Sequence, residues 1–342
     1  MEVGLFFKIV SQVIGGLGVF LLGMKHMSEG LQAVSGERLR KMIGAVTNNR
    51  FMGVVVGILV TCLVQSSSVT TVMVVGFVNS AIMNLMQAIG VILGANIGTT
   101  ITGWILVLKI GKYGLPMLGI AAFFFLFSKN QRIRYIGMTV MGIGMVFFGL
   151  ELMKNGFKPI KGMDGFEAWF HAFDVLKDGG GIAFANVIKC ALVGMILTMI
   201  VQSSSATLGI TIGLAATGVI NYPTAAALVM GENIGTTVTA LLAAIGTTTT
   251  AKRAAYAHFF FNALGTAWFI ALFPFVLPAL SRLIETQTGF NPMSLDMNSM
   301  DEAEFGQVIT KGIALTHTTF NVANVLLFLP FVGLLAKFVT WL

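Results

Sequence analysis

The chain has 342 residues, of which 56% are hydrophobic and 10% charged, with a mean hydropathy of +0.87 and a formal net charge of +7. A soluble domain carries about 25% charged residues, so this composition excludes an ordinary soluble enzyme, and because the basic residues sit in short loops beside apolar runs they report orientation rather than a nucleic-acid partner. The apolar runs are continuous rather than alternating, which excludes a β-barrel and predicts an all-α polytopic membrane protein.

Gln12 onward reads as the first membrane helix, with no cleaved signal segment before it. Lys25, His26 and Glu29 are expected to end that helix and to reach the interface along their apolar stems. A basic stretch, 34–50, follows. The next segment, 51–82, is 32 residues long and is interrupted near its middle by Gln65-Ser66-Ser67-Ser68. One straight span uses about 20 residues, so a re-entrant helical hairpin is predicted, with the serines at its tip. Irregular backbone at membrane depth survives only when buried in protein or lining a cavity, so the tip is expected to face an internal site. The run 86–108 is then broken at Gly94-Ala95-Asn96-Ile97-Gly98-Thr99-Thr100, and a further helix covers 114–127.

The same order recurs. Gly16 to Gly23 pairs with Gly142 to Gly149 at an offset of 126. Residues 57–102 lie on 194–239 at an offset of 137, without a gap, with 18 identities in 46 positions. The second copy brings Gln202-Ser203-Ser204-Ser205 in the 36-residue segment 184–219, and Gly231-Glu232-Asn233-Ile234-Gly235-Thr236-Thr237 beyond it. Its 11 extra residues are placed in the polar loop 155–182. The predicted organisation is a first transport repeat, 12–128, a second repeat, 136–280, and an additional helix, 308–340, after the acidic loop 285–307.

Charge orients the halves. With 34–50 cytoplasmic and both hairpins returning to their starting side, Arg38, Arg40, Lys41, Arg50, Lys129, Arg132, Arg134, Lys252 and Arg253 share one side, and the acidic loops 155–182 and 285–307 share the other. Lys109, Lys112, Lys154, Lys158, Lys161 and Arg282 fall on that second side, so the bias is incomplete. Each half then crosses three times, which makes the two repeats inverted, with the N-terminus outside and the C-terminus inside.

A helix starting after each serine run presents free N–H groups and the positive end of its dipole, an anion site without a basic side chain. Ser66, Ser67, Ser68, Ser203, Ser204 and Ser205, with Thr70 and Thr207, are the candidate ligands of a tetrahedral oxyanion. The absence of Arg and Lys calls for a co-bound cation. Gln65, Gln202, Asn96, Thr99, Thr100, Asn233, Thr236 and Thr237 offer hard oxygens for Na⁺ in duplicate. Glu232 breaks the symmetry against Ala95, and an intramembrane carboxylate is a cation or proton site by default. His258 and Asn262 are echoed by His317 and Asn321, and are read as buried interhelical contacts at i and i+4. Cys62 and Cys190 are read as free buried thiols. No nucleotide loop, transition-metal cluster or nucleophile–base pair is present, so neither an enzyme nor a resident cofactor is expected.

The paired Gln-Ser-Ser-Ser and Gly-x-Asn-Ile-Gly-Thr-Thr blocks resemble the sodium/phosphate cotransporter family, which holds the animal type II carriers and bacterial relatives. The resemblance spans both repeats and implies alternating-access symport of inorganic phosphate with Na⁺, the two serine motifs meeting at the substrate site. The long cytoplasmic tails and large glycosylated loop of the animal members have no counterpart here, which suits a bacterial inner-membrane protein. A carrier of the same fold for another anion, a proton-coupled carrier or an exporter stands as the alternative, followed by a channel or a membrane scaffold for phosphate signalling.

Overall fold

The computed structural model describes residues 3–44, 49–108, 111–163, 172–177 and 181–342. The side chains of Glu37, Arg38, Arg40, Lys41, Lys109 and Lys161, and part of the loop 155–182, lie outside the described residues. Fourteen α-helices are described: α1 (Val3–Gly44), α2 (Arg50–Val64), α3 (Ser67–Asn79), α4 (Leu85–Thr99), α5 (Ile101–Val107), α6 (Gly114–Phe127), α7 (Gln131–Phe157), α8 (Phe184–Val201), α9 (Ser204–Ala216), α10 (Tyr222–Gly235), α11 (Thr237–Ala243), α12 (Thr249–Thr288), α13 (Glu302–Phe328) and α14 (Val332–Trp341). Among the described residues the β-structure is one isolated bridge, Leu176 to Ile182. Seven helical stretches are long and apolar enough to cross a membrane, and the chain is an integral membrane protein.

Some boundaries differ from expectation. The first helix does not end at Lys25, His26 and Glu29; it runs on to Gly44, because nothing between them breaks it. Those three residues form a local charge cluster along its side, Lys25 to Glu29 at 3.8 Å and His26 to Glu29 at 4.0 Å. The expected helix 308–340 is two helices. It starts earlier, capped by Asp301, and is interrupted at Leu329–Phe331, where Pro330 has no N–H to continue the ladder.

Each serine segment folds as a helix, a reversal and a second helix. The arms α2 and α3 have 15 and 13 residues, about 22 and 20 Å at 1.5 Å per residue, against an apolar core about 30 Å thick. Each arm leans on the following helix, α2 on α4 and α8 on α10, through glycines placed alike in the two halves. A Cβ on Gly57 would strike the Val91 carbonyl, and one on Gly194 the Leu228 carbonyl. The pairs Gly94 with Val54 and Gly231 with Ala191 repeat at the same offset. Without water to drive apolar burial, close backbone approach is what holds membrane helices together.

The two leading helices, α1 and α7, pack on each other along a glycine ladder with a seven-residue step. Gly16 abuts Gly149 and Met153, Gly23 abuts Gly142 and Val146, and Gly30 abuts Tyr135 and Thr139. The rising numbers on α1 meet falling numbers on α7, so these two matching helices run antiparallel. Phe20 of α1 enters the main core with Met153, Leu208, Tyr222, Phe269 and Phe320. Outside the hairpins, α12 packs on α3, α4, α10, α11 and α13, while α13 packs also on α4, α5, α9 and α10.

This packing has a direct test. Gly231→Ala is expected to lower the melting temperature of the purified protein by several degrees, in line with an overpacking cost of about 1–3 kcal/mol. Gly76→Ala, where an added methyl meets nothing within 4 Å, is expected to be neutral or stabilising; a thermal ramp read by size-exclusion chromatography checks both.

Candidate functional site

The tips are superposable in their dihedral angles. Gln65 lies at φ 55°, ψ 24° and Gln202 at φ 56°, ψ 24°, both in the left-handed region. Ser66 and Ser203 follow in extended backbone, at φ −153° and −146°. Each caps the second arm: the Ser66 hydroxyl accepts from the Val69 N–H at 3.2 Å and the Ser203 hydroxyl from the Ala206 N–H at 3.3 Å. The helices therefore begin at Ser67 and Ser204, inside the serine run rather than after it, because the first serine is consumed as the cap. The N–H groups of Ser67 and Ser68, and of Ser204 and Ser205, occupy the first two helical positions and have no intrahelical acceptor.

Behind each tip a threonine pair staples the two arms. Thr61 donates to Thr70 across 3.1 Å, and Thr198 and Thr207 are 3.0 Å apart. All four are fully buried or nearly so. Thr70 also donates to the Ser66 carbonyl, and Thr207 to those of Ser203 and Ser204. Thr70 and Thr207 thus hold the reversal in shape. Their partners Thr61 and Thr198 were visible as one of the identities between the copies, but nothing in one dimension shows that they face across a hairpin.

The second block differs from the expected unwound segment. Asn96 and Asn233 lie inside regular helix, each donating back to a carbonyl four residues earlier, Ile92 and Val229, both at 2.8 Å. The interruption is confined to Thr100 and Thr236, which keep helical dihedrals. Thr99 donates to the Ala95 carbonyl and Thr236 to that of Glu232. Thr100 and Thr237 donate to Ile97 and Ile234. With their protons committed to helix carbonyls, the lone pairs of these hydroxyls are left facing outward.

The halves meet at Thr102, just past the first interruption. Its hydroxyl is 3.4 Å from the Ser205 hydroxyl of the second tip and 3.5 Å from Gln65 Oε1 of the first. Both contacts are long for hydrogen bonds. Gln65 is further anchored by Nε2 on the Cys62 carbonyl at 2.5 Å. The first tip is the more enclosed: Gln65 and Ser67 are buried, whereas Gln202 is exposed and Ser204 half-buried. Ser28 of α1 reinforces the first tip by donating to the Val64 carbonyl at 2.5 Å.

The histidine echo reaches the site from outside. His317 Nε2 lies 3.3 Å from Asn233 Oδ1, and Asn321 Nδ2 donates to the same oxygen at 3.4 Å. Thus one interhelical contact read from the sequence lands on a candidate sodium ligand. His258 and Asn262 are fully buried on α12, yet neither ring nitrogen of His258 has a partner. Glu232 is buried, and its Oε1 accepts from Thr211 at 2.8 Å. Both cysteines are free, Cys190 buried and Cys62 half-buried.

A family model described as the Na⁺/Pi-cotransporter matches residues 19–155 and 174–302, across both sets of tips and interrupted helices. The chain belongs to the Na⁺/Pi-cotransporter family. It is 30% identical over 94% of its length to the uncharacterized protein YqeW of Bacillus subtilis, itself covered to 94%. It is 28% identical, over 95% of its own length and 54% of the relative's, to Escherichia coli YjbB, whose name gives it a candidate role in inorganic phosphate export. A stretch of 108 residues is 38% identical to the human sodium-dependent phosphate transport protein 2B, of which it covers 16%. No solved structure matches the chain.

The threonine staples are testable by a double-mutant cycle. Thr198→Val and Thr207→Val are each expected to destabilise the protein, with a coupling energy of about 0.6 kcal/mol and at most about 1.7, the range for interhelical hydrogen bonds in membranes. Thermal melts of the two single variants and the double supply the cycle, and additive effects count against the staple.

Proposed function

We propose that this protein is a secondary carrier of inorganic phosphate coupled to Na⁺. The observation that carries the reading is the matched pair of tips, equal in backbone conformation, each with two open amides at a helix start and joined across the halves through Thr102 and Ser205. The open N–H groups and the hydroxyls of Ser66, Ser67, Ser68, Ser203, Ser204 and Ser205 suit a tetrahedral oxyanion held from both sides. Thr70 and Thr207 serve it at one remove, by fixing the reversals. Gln65 and Gln202, with Asn96, Thr99, Thr100, Asn233, Thr236 and Thr237, supply the oxygens for Na⁺, which offsets the charge that no Arg or Lys offsets there. The long contacts at Thr102 shorten when phosphate and Na⁺ draw the tips together.

The antiparallel pairing of the equivalent helices α1 and α7 supports an inverted relation of the two repeats. In such carriers one repeat rocks against the other about a fixed central site. The enclosed first tip and the open second tip suit a state reached from one side only. We place the protein in a bacterial inner membrane, with the N-terminus outside and the C-terminus inside.

A second reading, net export, is favoured by the similarity to YjbB along almost the whole chain. It uses the same site and differs in the coupling that sets direction.

Radioactive phosphate uptake by proteoliposomes holding the purified protein separates these readings. An inward Na⁺ gradient is expected to drive uptake that a matched K⁺ gradient does not, and Ser67→Ala with Ser204→Ala is expected to reduce it at least tenfold. Uptake that ignores Na⁺ but follows an imposed pH gradient moves the coupling to protons and favours export; no phosphate movement under either gradient sinks the carrier reading.

A further inference from the structure

The two halves match in their caps, threonine pairs and asparagine back-bonds, but at one place their residues part in a correlated way. Glu232 and Thr211 of the second half occupy the positions of Ala95 and Val74 in the first, at the constant offset of 137. In the second half these residues are bonded to each other, the Thr211 hydroxyl donating to Glu232 Oε1 at 2.8 Å. In the first half the same two positions are apolar, and Val74 and Ala95 are both buried. A polar pair on one side and an apolar pair on the other is what a dedicated site looks like; a random polar substitution would have left one partner unmatched.

The carboxyl is 3% exposed. Among the described residues the ion pairs are Lys25 and His26 with Glu29, and Lys158 with Glu302, so none involves Glu232. The neighbouring helices offer little to balance its charge. Neither α9 nor α11 carries a titratable side chain, and α8 contributes only the exposed Lys189 and Cys190, whose Sγ lies against the Phe173 carbonyl. From α13, His317 is committed to Asn233, one residue along from Glu232. The buried titratable residue on α12 is His258, whose ring nitrogens have no hydrogen-bond partner. One hydroxyl donor does not balance a carboxylate at this depth; a bound cation does.

We propose that Glu232 and Thr211 form a site for one Na⁺ that exists in the second half only. It rests on the carrier reading above and adds to it one positive charge per cycle taken up through one repeat and not the other. The site lies between the second tip and the second interruption. Thr207, one helical turn before Thr211 on α9, donates to the Ser203 carbonyl of the reversal, and the Glu232 carbonyl accepts the Thr236 hydroxyl at 2.9 Å. Occupancy therefore bears directly on how α9 sits against α10.

The test compares the wild type with Glu232→Ala plus Thr211→Val, which copies the apolar pair the first half already packs, and with Glu232→Gln, which keeps the shape and removes the charge. ²²Na⁺ bound per purified protein is counted without phosphate, and proton release on adding Na⁺ or phosphate is followed in weak buffer. Both variants are expected to bind one fewer ²²Na⁺ than the wild type. An unchanged ²²Na⁺ count, with one proton exchanged by the wild type alone, overturns the proposal and makes Glu232 a proton carrier instead. Equal ²²Na⁺ counts and equal proton exchange in all three proteins overturn the proposal and leave Glu232 a hydrogen-bonding residue. Phosphate transport by the wild type is measured separately, so failure of the substrate reading shows there and not in the cation count.

Discussion

Everything in this fold depends on reversing the chain twice inside an apolar body. A reversal exposes backbone N–H and C=O groups that hydrocarbon does not satisfy. Here the cost is met locally: a serine caps the outgoing helix, and a buried threonine pair ties the arms. The residue at each turn sits in the left-handed region, which costs a non-glycine residue roughly 1–2 kcal/mol. Glycine is the cheap choice there, and the chain has 40 of them; both turns carry glutamine instead. Strain kept at matching places is a mark of function. At the first tip the reason is visible, since the Gln65 amide binds the Cys62 carbonyl with one end and turns the other toward Thr102.

The repeats and the hairpins were legible in the sequence because each needs several residues at fixed spacing. Gln-Ser-Ser-Ser in the middle of an apolar run marks a break, and its recurrence at one offset with Asn-Ile-Gly-Thr-Thr makes chance a poor explanation. What escaped is whatever depends on the third dimension. Thr102 was read as the end of a repeated block, not as the place where the two halves touch. The unwound stretch expected at Asn96 and Asn233 is regular helix, since Gly98 and Gly235 are there for contact: a Cβ on either would press on Thr61 or Thr198. A glycine wanted for close packing and one wanted for a break look the same in a sequence. The overlong first helix was missed because a cluster of charged residues inside an apolar run imitates a helix end.

The outer helices are shared between the halves. α12 packs on α3 and α4 of the first half and on α10 and α11 of the second, and α13 on α4 and α5 and on α9 and α10. The His-x-x-Phe-Asn pattern is common to both helices, but its two copies differ in state. His317 is bonded to Asn233, whereas the ring of His258 has no partner. The second tip is the more open and the first the more enclosed, so matching backbone at the two tips goes with unlike surroundings.

The difference is felt most at a single turn of α13. Thr316 meets the Tyr222 hydroxyl at 2.8 Å, His317 meets Asn233, and Thr318 accepts from Trp104 Nε1 at 2.8 Å. Tyr222 and Asn233 belong to the second half and Trp104 to the first, so three consecutive residues grip both. A rigid shift of one half against the other must break one grip or carry α13 along. Gly103 faces Ala314 next to this turn, with Leu208 of α9 beside them, so the backbone of the first half approaches α13 closely between the three polar grips. This turn of α13 thus ties both halves to one helix.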